Sequence, residues 1–170
     1  MSTRARLMVA AAIALISAAG IAIGVVHHLA GDGRASAPRG LHETAAAVPF
    51  VGSREVHVAI GGRCVRVVVA DTPARRERGL RGTVGDLGPY GGMLFAQPND
   101  RDTAFTMAGV TAPLDVAWYT ASGSEIDSVR MRPCRHDVAQ CPQYRSDAAY
   151  RFALETPPGA ASPTRLVRCP

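Results

Sequence analysis

Two short apolar runs joined by a glycine pair constrain the fold of this chain more than any other feature. Residues 54–60 (REVHVAI) alternate apolar and polar side chains, and residues 63–70 (RCVRVVVA) form a second run after Gly61-Gly62. Alternation with a period of two is typical of a strand with one buried face, and two glycines between such runs favour a tight turn. The sequence therefore predicts a β-hairpin and, around it, a β-rich domain.

The segments after the hairpin predict one short helix and further strands. Asp71-Thr72-Pro73 has the capping side chain and early proline of a helix start, and Gly79 is typical of a helix end, so a helix is expected over 73–78. Further strands are expected at 93–95, 103–107, 114–120, 125–131 (with a bulge), 149–155 and 165–168. Roughly six to eight strands with Gly/Pro turns predict a mainly β fold, a small antiparallel barrel or sandwich with one short helix.

An uncharged apolar run over residues 7–26 precedes this domain. Its length matches the roughly 20 residues of a bilayer-spanning helix and exceeds the usual core of a secretory signal. Arg4 and Arg6 place the short N-terminal end in the cytoplasm. Residues 35–38 (ASAP) make a late and poor cleavage site, so an uncleaved signal anchor is favoured over a cleaved signal peptide.

The chain accordingly divides into three parts. Residues 1–30 are predicted to be a signal anchor with a transmembrane helix, 31–53 a flexible linker rich in Gly, Pro, Ser and Ala, and 54–170 an extracytoplasmic β-rich domain. The expected location is the cell membrane, crossed once by residues 7–26, with the C-terminal domain outside. The alternative is a secreted protein released by cleavage.

Four cysteines in an outward-facing domain indicate disulfides. Cys134 and Cys141 enclose a short loop and are the first choice for a bridge, which leaves Cys64 for Cys169. Four cysteines allow three pairings, so the other two remain open. A metal site at Cys134, His136 and Cys141 is disfavoured, because the spacing matches no common zinc pattern.

The composition argues against several classes of function. All 19 basic residues are arginine, so no lysine is available for Schiff-base or nucleophilic chemistry. The net charge of +5 is dispersed, and no nucleic-acid module with interleaved aromatics or zinc-finger spacing occurs. The sequence also lacks a serine-nucleophile elbow, a zinc-protease motif and a phosphate-binding loop. It therefore predicts no cofactor, no resident metal and no nucleic-acid partner.

A series of short motifs follows the order of one known family. They are VADTPARRERGLRG at 69–82, GGMLF at 91–95, FTM at 105–107, APLDVAW at 112–118, MRPC at 131–134, CPQY at 141–144 and YRFALE at 150–155. None is specific alone, but in this order they make the chain resemble domain-of-unknown-function family 192, a family of uncharacterised exported and membrane-anchored bacterial and archaeal proteins. The resemblance covers roughly residues 56–159, and it implies a compact β-rich domain without an established activity.

The chain departs from that family after Phe105. Members usually continue this phenylalanine with Trp-Met-Lys-Asn-Thr, whereas residues 106–110 here are Thr-Met-Ala-Gly-Val. Whatever the Lys and Asn of the family do is therefore missing from this chain. The usual Gly-Asp pair near the C-terminus is also absent, so we expect a divergent member with altered function.

Asp115 is the carboxylate that the family motifs single out. It begins a strand, where it can accept hydrogen bonds from the glycine-rich loop between Gly79 and Gly92, and this structural role is favoured. In a second interpretation, Asp115 is the polar floor of a ligand pocket. The apolar residues expected to line that pocket are Met93, Phe95, Phe105 and Met107. In a third, it acts as an acid or base with His57 or His136, although the spacing does not bring these groups together.

The other matched polar and glycine residues are expected to be structural. They are Asp71, Arg78, Gly79, Gly92 and Tyr144. No catalytic residue is predicted. The missing Lys-Asn-Thr string favours an envelope accessory module that binds a small molecule, an envelope polymer or a partner protein. The alternative is a small envelope hydrolase that uses Asp115 as its acid or base.

Overall fold

A computed structural model describes residues 43–47, 49–83, 87–160, 162–167 and 169. The elements in chain order are β1 (Glu43–Ala45), β2 (Arg54–Ile60), β3 (Arg63–Ala70), α1 (Pro73–Arg78), β4 (Met93–Arg101), β5 (Leu114–Tyr119), β6 (Glu125–Met131), a 3-10 turn (Val138–Gln140) and β7 (Tyr150–Thr156). The prediction of a mainly β fold with one short α-helix is confirmed for this part of the chain.

All the strands belong to one sheet, in the order β1-β2-β3-β4-β7-β5-β6. Six long strands form it, and the three-residue β1 extends one edge. Every neighbouring pair is antiparallel except β3 and β4, which run parallel. The predicted antiparallel barrel or sandwich is therefore wrong. The sheet is mixed and open, because the crossover through α1 brings the chain back parallel to β3, and β1 and β6 end the sheet without pairing with each other.

The β2–β3 hairpin forms as the sequence predicts, with the same residue bounds. Gly61 and Gly62 both have positive φ, 57° and 75°, which is the backbone of a two-residue hairpin turn with primed geometry. A side chain at either position would be strained, so the glycine pair fixes the register of the hairpin, in which Ile60 faces Arg63.

The helix α1 also begins and ends where its capping residues indicate. The hydroxyl of Thr72 accepts a hydrogen bond from the backbone N–H of Arg75 at 3.3 Å, and Pro73 occupies the first turn. Gly79 ends the helix at φ 52° and donates its N–H to the carbonyl of Arg75. The structure thus presents the arginines of α1 at a fixed place beside the sheet.

Both faces of the sheet are buried. One face includes Val68, Ala70, Met93, Phe95, Val116, Trp118 and Ala153, packed against loop residues such as Leu80 and Met107. The other includes Val56, Val58, Ile60, Val67, Val69, Leu94, Ala117, Tyr119, Phe152 and Leu154. Strands covered on both sides carry near-continuous apolar runs, which explains the weak alternation of RCVRVVVA.

Two disulfides stabilise the covering loops, and they join the predicted pairs. Cys134 and Cys141 are bridged with their Cα atoms 5.8 Å apart, and Cys64 is bridged to Cys169 with a Cα separation of 5.5 Å. The first bridge closes the segment beyond β6, and the second ties the start of β3 to the C-terminal end of the chain.

The predicted anchor at 7–26 lies outside the described residues. So does most of the predicted linker at 31–53, although β1 and residues 49–53 fall within that range. No helix in the described ranges has the length and apolar character that crossing a bilayer requires.

Candidate functional site

A pocket of about 530 Å³ opens between α1, β4, β7 and the segment 103–110. Its lining combines the aromatic rings of Phe95, Phe105 and Tyr150, the aliphatic Leu80 and Val110, the arginines Arg76, Arg78, Arg81 and Arg101, and the acids Glu77 and Glu155. Small-molecule sites are typically clefts of about 300–1,000 Å³ with mostly apolar walls and a few polar groups. The size and lining of this pocket therefore suit a small ligand.

Phe105 is the centre of the aromatic wall. Its ring meets Phe95 edge to face, with centroids 5.0 Å apart, and contacts Trp118 and Tyr150 at 6.0 and 6.1 Å. The backbone of Phe105 exchanges two hydrogen bonds with Tyr144, at 2.8 and 2.9 Å. Packed aromatic pairs of this geometry are favourable, so the wall is held in place before any ligand arrives.

Glu155 is a buried acid in the lining of this pocket. Its residue is only 5% exposed, it lies on β7, and no side chain in the described ranges donates a hydrogen bond to its carboxyl group. Burial raises the pKa of Glu155 to about 8. At neutral pH the group is therefore mostly a neutral acid, able to donate one hydrogen bond.

Gly92 allows the start of β4 to pack against Glu155. A Cβ at Gly92 would lie 2.2 Å from the backbone oxygen of Glu155, far inside van der Waals contact. The structural role expected for Gly92 has this physical reason, although the sequence alone does not show it. The glycine brings the two strands together beside the pocket.

The mouth of the pocket is basic. Arg78, Arg81 and Arg101 form no ion pair with a carboxylate among the described residues. Arg76 donates to the backbone carbonyls of Asp71 and Ala96, at 2.7 and 2.9 Å. Burial lowers the pKa of Arg76, and the nearby charge of Arg101 acts in the same direction. The mouth of the pocket thus carries positive charge that is not neutralised by ion pairs with described carboxylates.

Asp71 is fully buried beside this mouth and has a structural role. It binds Arg54 through Nε and Nη2 at 3.0 and 2.7 Å, and Arg75 through Nη1 at 2.8 Å. Burial acts to raise the pKa of Asp71, but the hydrogen bonds from these two arginines outweigh it, and the pKa is lowered. Asp71 therefore ties α1 to β2.

Asp115 lies outside the pocket. Its carboxylate is bidentate to Arg130 on β6, at 2.6 and 2.9 Å, and accepts the backbone N–H of Gly159 at 3.1 Å. These hydrogen bonds lower the pKa of Asp115. With Glu125 and Ser128 it borders a separate, shallow depression along β6. Among the described residues its partners are these groups and not the loop between Gly79 and Gly92. The hypothesis that Asp115 binds a ligand stays a prediction.

The apolar residues predicted to line a pocket fall into two sets. Phe95 and Phe105 line the pocket. Met93 and Met107 are 4% and 0% exposed and pack behind it in the same apolar cluster. Tyr144 supports the aromatic wall through its backbone, and its hydroxyl accepts the N–H of Arg132 at 3.1 Å.

Glu155 is the residue that sequence reasoning missed. The available signal was a single acid after the apolar residues FAL in the segment AYRFALE, within a motif of the family. In a sheet exposed on one face, such an acid points to water. Here both faces are covered, so the acid is buried. Within the described ranges no group of three or more His, Cys, Asp or Glu side chains could hold a metal ion.

The comparisons with known proteins agree with this picture of the fold. The family model DUF192, described as "Uncharacterized ACR", matches residues 56–168, which confirms the resemblance seen in the sequence. A protein of unknown function from Novosphingobium aromaticivorans DSM 12444 is similar at TM-score 0.57 and 20% identity, over 75% of this chain and 85% of that one. A Sinorhizobium meliloti 1021 protein, described provisionally as a transcription regulator, is similar at TM-score 0.53 and 23% identity, over 74% and 97%. No curated protein matches the chain.

Proposed function

Because this chain belongs to domain-of-unknown-function family 192, whose description names no activity, we propose its function from the pocket: it is an extracytoplasmic binding module for a small molecule. The ligand occupies the space between α1, β4 and β7, against the wall formed by Phe95 and Phe105. The apolar run at 7–26 supports a membrane anchor that holds the module at the cell surface.

The observation that carries this proposal is the carboxyl group of Glu155. No described residue donates a hydrogen bond to this carboxyl group, and its oxygens are not among the fully enclosed side-chain atoms that lack a partner, as expected for a group with access to the pocket. Burying an ionisable carboxyl group without a charge partner costs free energy. A glutamine or leucine at this position of β7 cannot ionise and would not carry that cost. The group borders a pocket rather than closed core. A ligand that accepts its hydrogen bond explains why it is there.

The alternative of a hydrolase based on Asp115 finds less support. Arg130 favours the ionised form of Asp115, which makes it a poor proton donor at neutral pH. No described histidine contacts it, so the second titratable group of an acid–base pair is missing among these residues. We therefore assign no catalytic residue.

Binding is tested with a panel of fragments and envelope metabolites against the full-length protein, read by the shift of its melting midpoint. The matched variant is Ala104→Trp, which fills the pocket from its rim, and the control is Ala121→Trp, an equal change at an exposed turn. Compounds that stabilise wild type and Ala121→Trp but not Ala104→Trp support the proposal. Hits that stabilise all three proteins equally, or the absence of hits, contradict it.

The anchor is tested separately. Membranes from cells that make the full-length chain are washed with alkaline carbonate, which removes peripheral proteins. Retention in the pellet, and loss of retention when residues 7–26 are deleted, is the expected result. Release into the wash, or a shortened chain in the medium, would favour the secreted alternative. Binding of an envelope polymer or a partner protein also stays a prediction, and we assign no surface to it.

A further inference from the structure

We propose that the ligand of this pocket is a small organic anion, whose charged group lies on the arginines of the mouth and whose uncharged inner end accepts a hydrogen bond from the carboxyl group of Glu155. This inference rests on the proposed function, since it names the chemical class of the molecule that the pocket binds. It is carried by three features of the pocket lining: arginines on the solvent-exposed rim, an apolar wall and a buried acid.

The mouth selects for negative charge. Arg78, Arg81 and Arg101 lie on three different parts of its rim, the end of α1, the turn after it and the end of β4. None is paired with a carboxylate in the described part of the chain. Guanidinium groups present several N–H donors in a plane and suit carboxylate oxygens. The one acid on the rim, Glu77, is exposed and does not balance them.

The buried end selects for an uncharged acceptor. Glu155 is 5% exposed, whereas Arg78 and Arg101 are exposed, although all three line the same pocket. A ligand that contacts both kinds of group must therefore extend from the solvent-exposed rim to the buried part of the lining. An anionic group beside Glu155 would lack a charge partner there, whereas an ether, hydroxyl or carbonyl oxygen can accept a hydrogen bond from the protonated carboxyl group.

The middle of the pocket selects for an apolar body. The rings of Phe95 and Phe105 pack edge to face, and Leu80 and Val110 complete the apolar wall. Such walls bury the rings or alkyl groups of small ligands. An aromatic carboxylate with an oxygen at its far end has all three properties.

The test uses three probes of nearly the same shape. 4-Methoxybenzoate has the anion, the ring and the distal oxygen. 4-Methoxybenzamide lacks the charge, and 4-ethylbenzoate lacks the oxygen. Affinities for the full-length protein are measured by equilibrium dialysis in a mild detergent, with cells that contain micelles alone as the blank. We expect 4-methoxybenzoate to bind about tenfold more tightly than either analogue, the difference of one good polar contact.

Substitutions test which residues cause the preference for 4-methoxybenzoate over its two analogues. The double change Arg78→Gln and Arg101→Gln is expected to remove the preference for the carboxylate over the amide, whereas Arg135→Gln, an exposed arginine away from the pocket, is expected to keep it. Glu155→Gln keeps a donor and is expected to keep the preference for the methoxy compound. Glu155→Leu is expected to lose that preference. Circular dichroism of each variant shows that it is folded.

Protonation gives a second measurement. The groups that line the pocket with Glu155 are Arg76, Glu77 and Arg78 of α1, Arg81 of the following turn, Arg101 of β4 and Tyr150 of β7. The arginines stay charged, and burial raises the pKa of Tyr150 to about 12, so Glu155 is the buried group that changes charge near pH 8. The affinity for 4-methoxybenzoate is expected to fall as the pH rises through about 8 in wild type, and to stay constant in Glu155→Gln.

The failures of the two proposals are distinguishable. If carboxylate and amide bind equally, and Ala104→Trp abolishes both, the pocket is a binding site but the anion inference is overturned. If 4-methoxybenzoate fails to bind at about 10 mM, the anion inference is also overturned, since fragments with a charge partner bind more tightly than this. If the probes bind Ala104→Trp as well as wild type, the pocket is not their site, and the proposed function loses its support as well.

Discussion

Replacing Glu155 with glutamine is expected to remove a pH dependence from the stability of the fold. The pKa of Glu155 is about 8 in the folded protein, above its ordinary value of 4.5. Between these values the folded state holds a proton that the unfolded state has released. The stabilisation is complete below about pH 4.5, falls as the pH rises, and is lost above about pH 8.

The magnitude follows from the difference between the two pKa values. At about 1.4 kcal/mol for each pH unit, the free energy of unfolding declines by about 5 kcal/mol from pH 4.5 to pH 8, of which about 3 kcal/mol is already lost at pH 7. Marginal stabilities of about 5–15 kcal/mol make this a large change. Glutamine has a similar shape and cannot ionise, so the variant should show no such decline.

The assay is urea unfolding over a series of pH values, followed by the fluorescence of Trp118. This residue is the only tryptophan and is fully buried, so its emission reports the loss of the core. The pKa values of Asp71 and Asp115 are lowered and that of Tyr150 is raised to about 12, so these groups titrate outside the window.

The control for this experiment is Glu77→Gln, which changes an exposed acid of the same pocket rim and should follow the wild-type profile. Divergence of Glu155→Gln from both proteins above about pH 5, growing towards pH 8, is the expected result. Parallel profiles for all three proteins would refute the reasoning, because they would mean that Glu155 is ionised at neutral pH or has a partner.

Three further changes test other parts of the structure by the same unfolding assay. Gly92→Ala should cost about 3 kcal/mol or more, because its Cβ would lie 2.2 Å from the backbone oxygen of Glu155, and a loss below about 1 kcal/mol would contradict that close approach. Asp71→Asn should cost roughly 2–3 kcal/mol, since it leaves two arginines without their shared carboxylate, and a neutral effect would argue against the assigned ion pairs. Asp115→Asn should cost at most about 1 kcal/mol, because its pair with Arg130 is exposed, and should leave the affinity of pocket ligands unchanged in equilibrium dialysis.

Local signals made the hairpin and the helix predictable. Gly61-Gly62 favours a tight turn, and Thr72 and Gly79 cap the one α-helix among the described residues. Each of these features depends on residues within a few positions of one another, so the sequence contains the whole cause. The disulfide between Cys134 and Cys141 was accessible for the same reason.

Strand order was not predictable, because it depends on contacts between distant parts of the chain. The strand β7 inserts between β4 and β5 although it begins about 50 residues after the end of β4, and no local pattern in the sequence predicts this pairing. The bulge expected within 125–131 is confirmed: Trp118 and Tyr119 of β5 pair with Asp127 and Glu125, so Ile126 of β6 is the extra residue. The strand expected at 93–95 extends to Arg101, past a proline that usually ends such runs.

The candidate site also has features that the sequence predicts and features that depend on distant contacts. Phe95 and Phe105 could be recognised as apolar residues of a pocket because they are aromatic and lie within family motifs. The acid beside them could not, since Asp115 and Glu155 are each the only carboxylate of their strand. The tertiary structure distinguishes them: Glu155 is buried and lines the pocket, whereas Asp115 pairs with Arg130 at the surface.

The central claim is that the pocket beside Glu155 is the ligand site. The most direct measurement is a map of amide and methyl chemical-shift changes on the isotope-labelled protein, titrated with 4-methoxybenzoate. The largest changes are expected on Phe95, Phe105 and Glu155, with small changes around Asp115. Changes centred on Asp115 and Arg130, with the pocket signals unmoved, would contradict it.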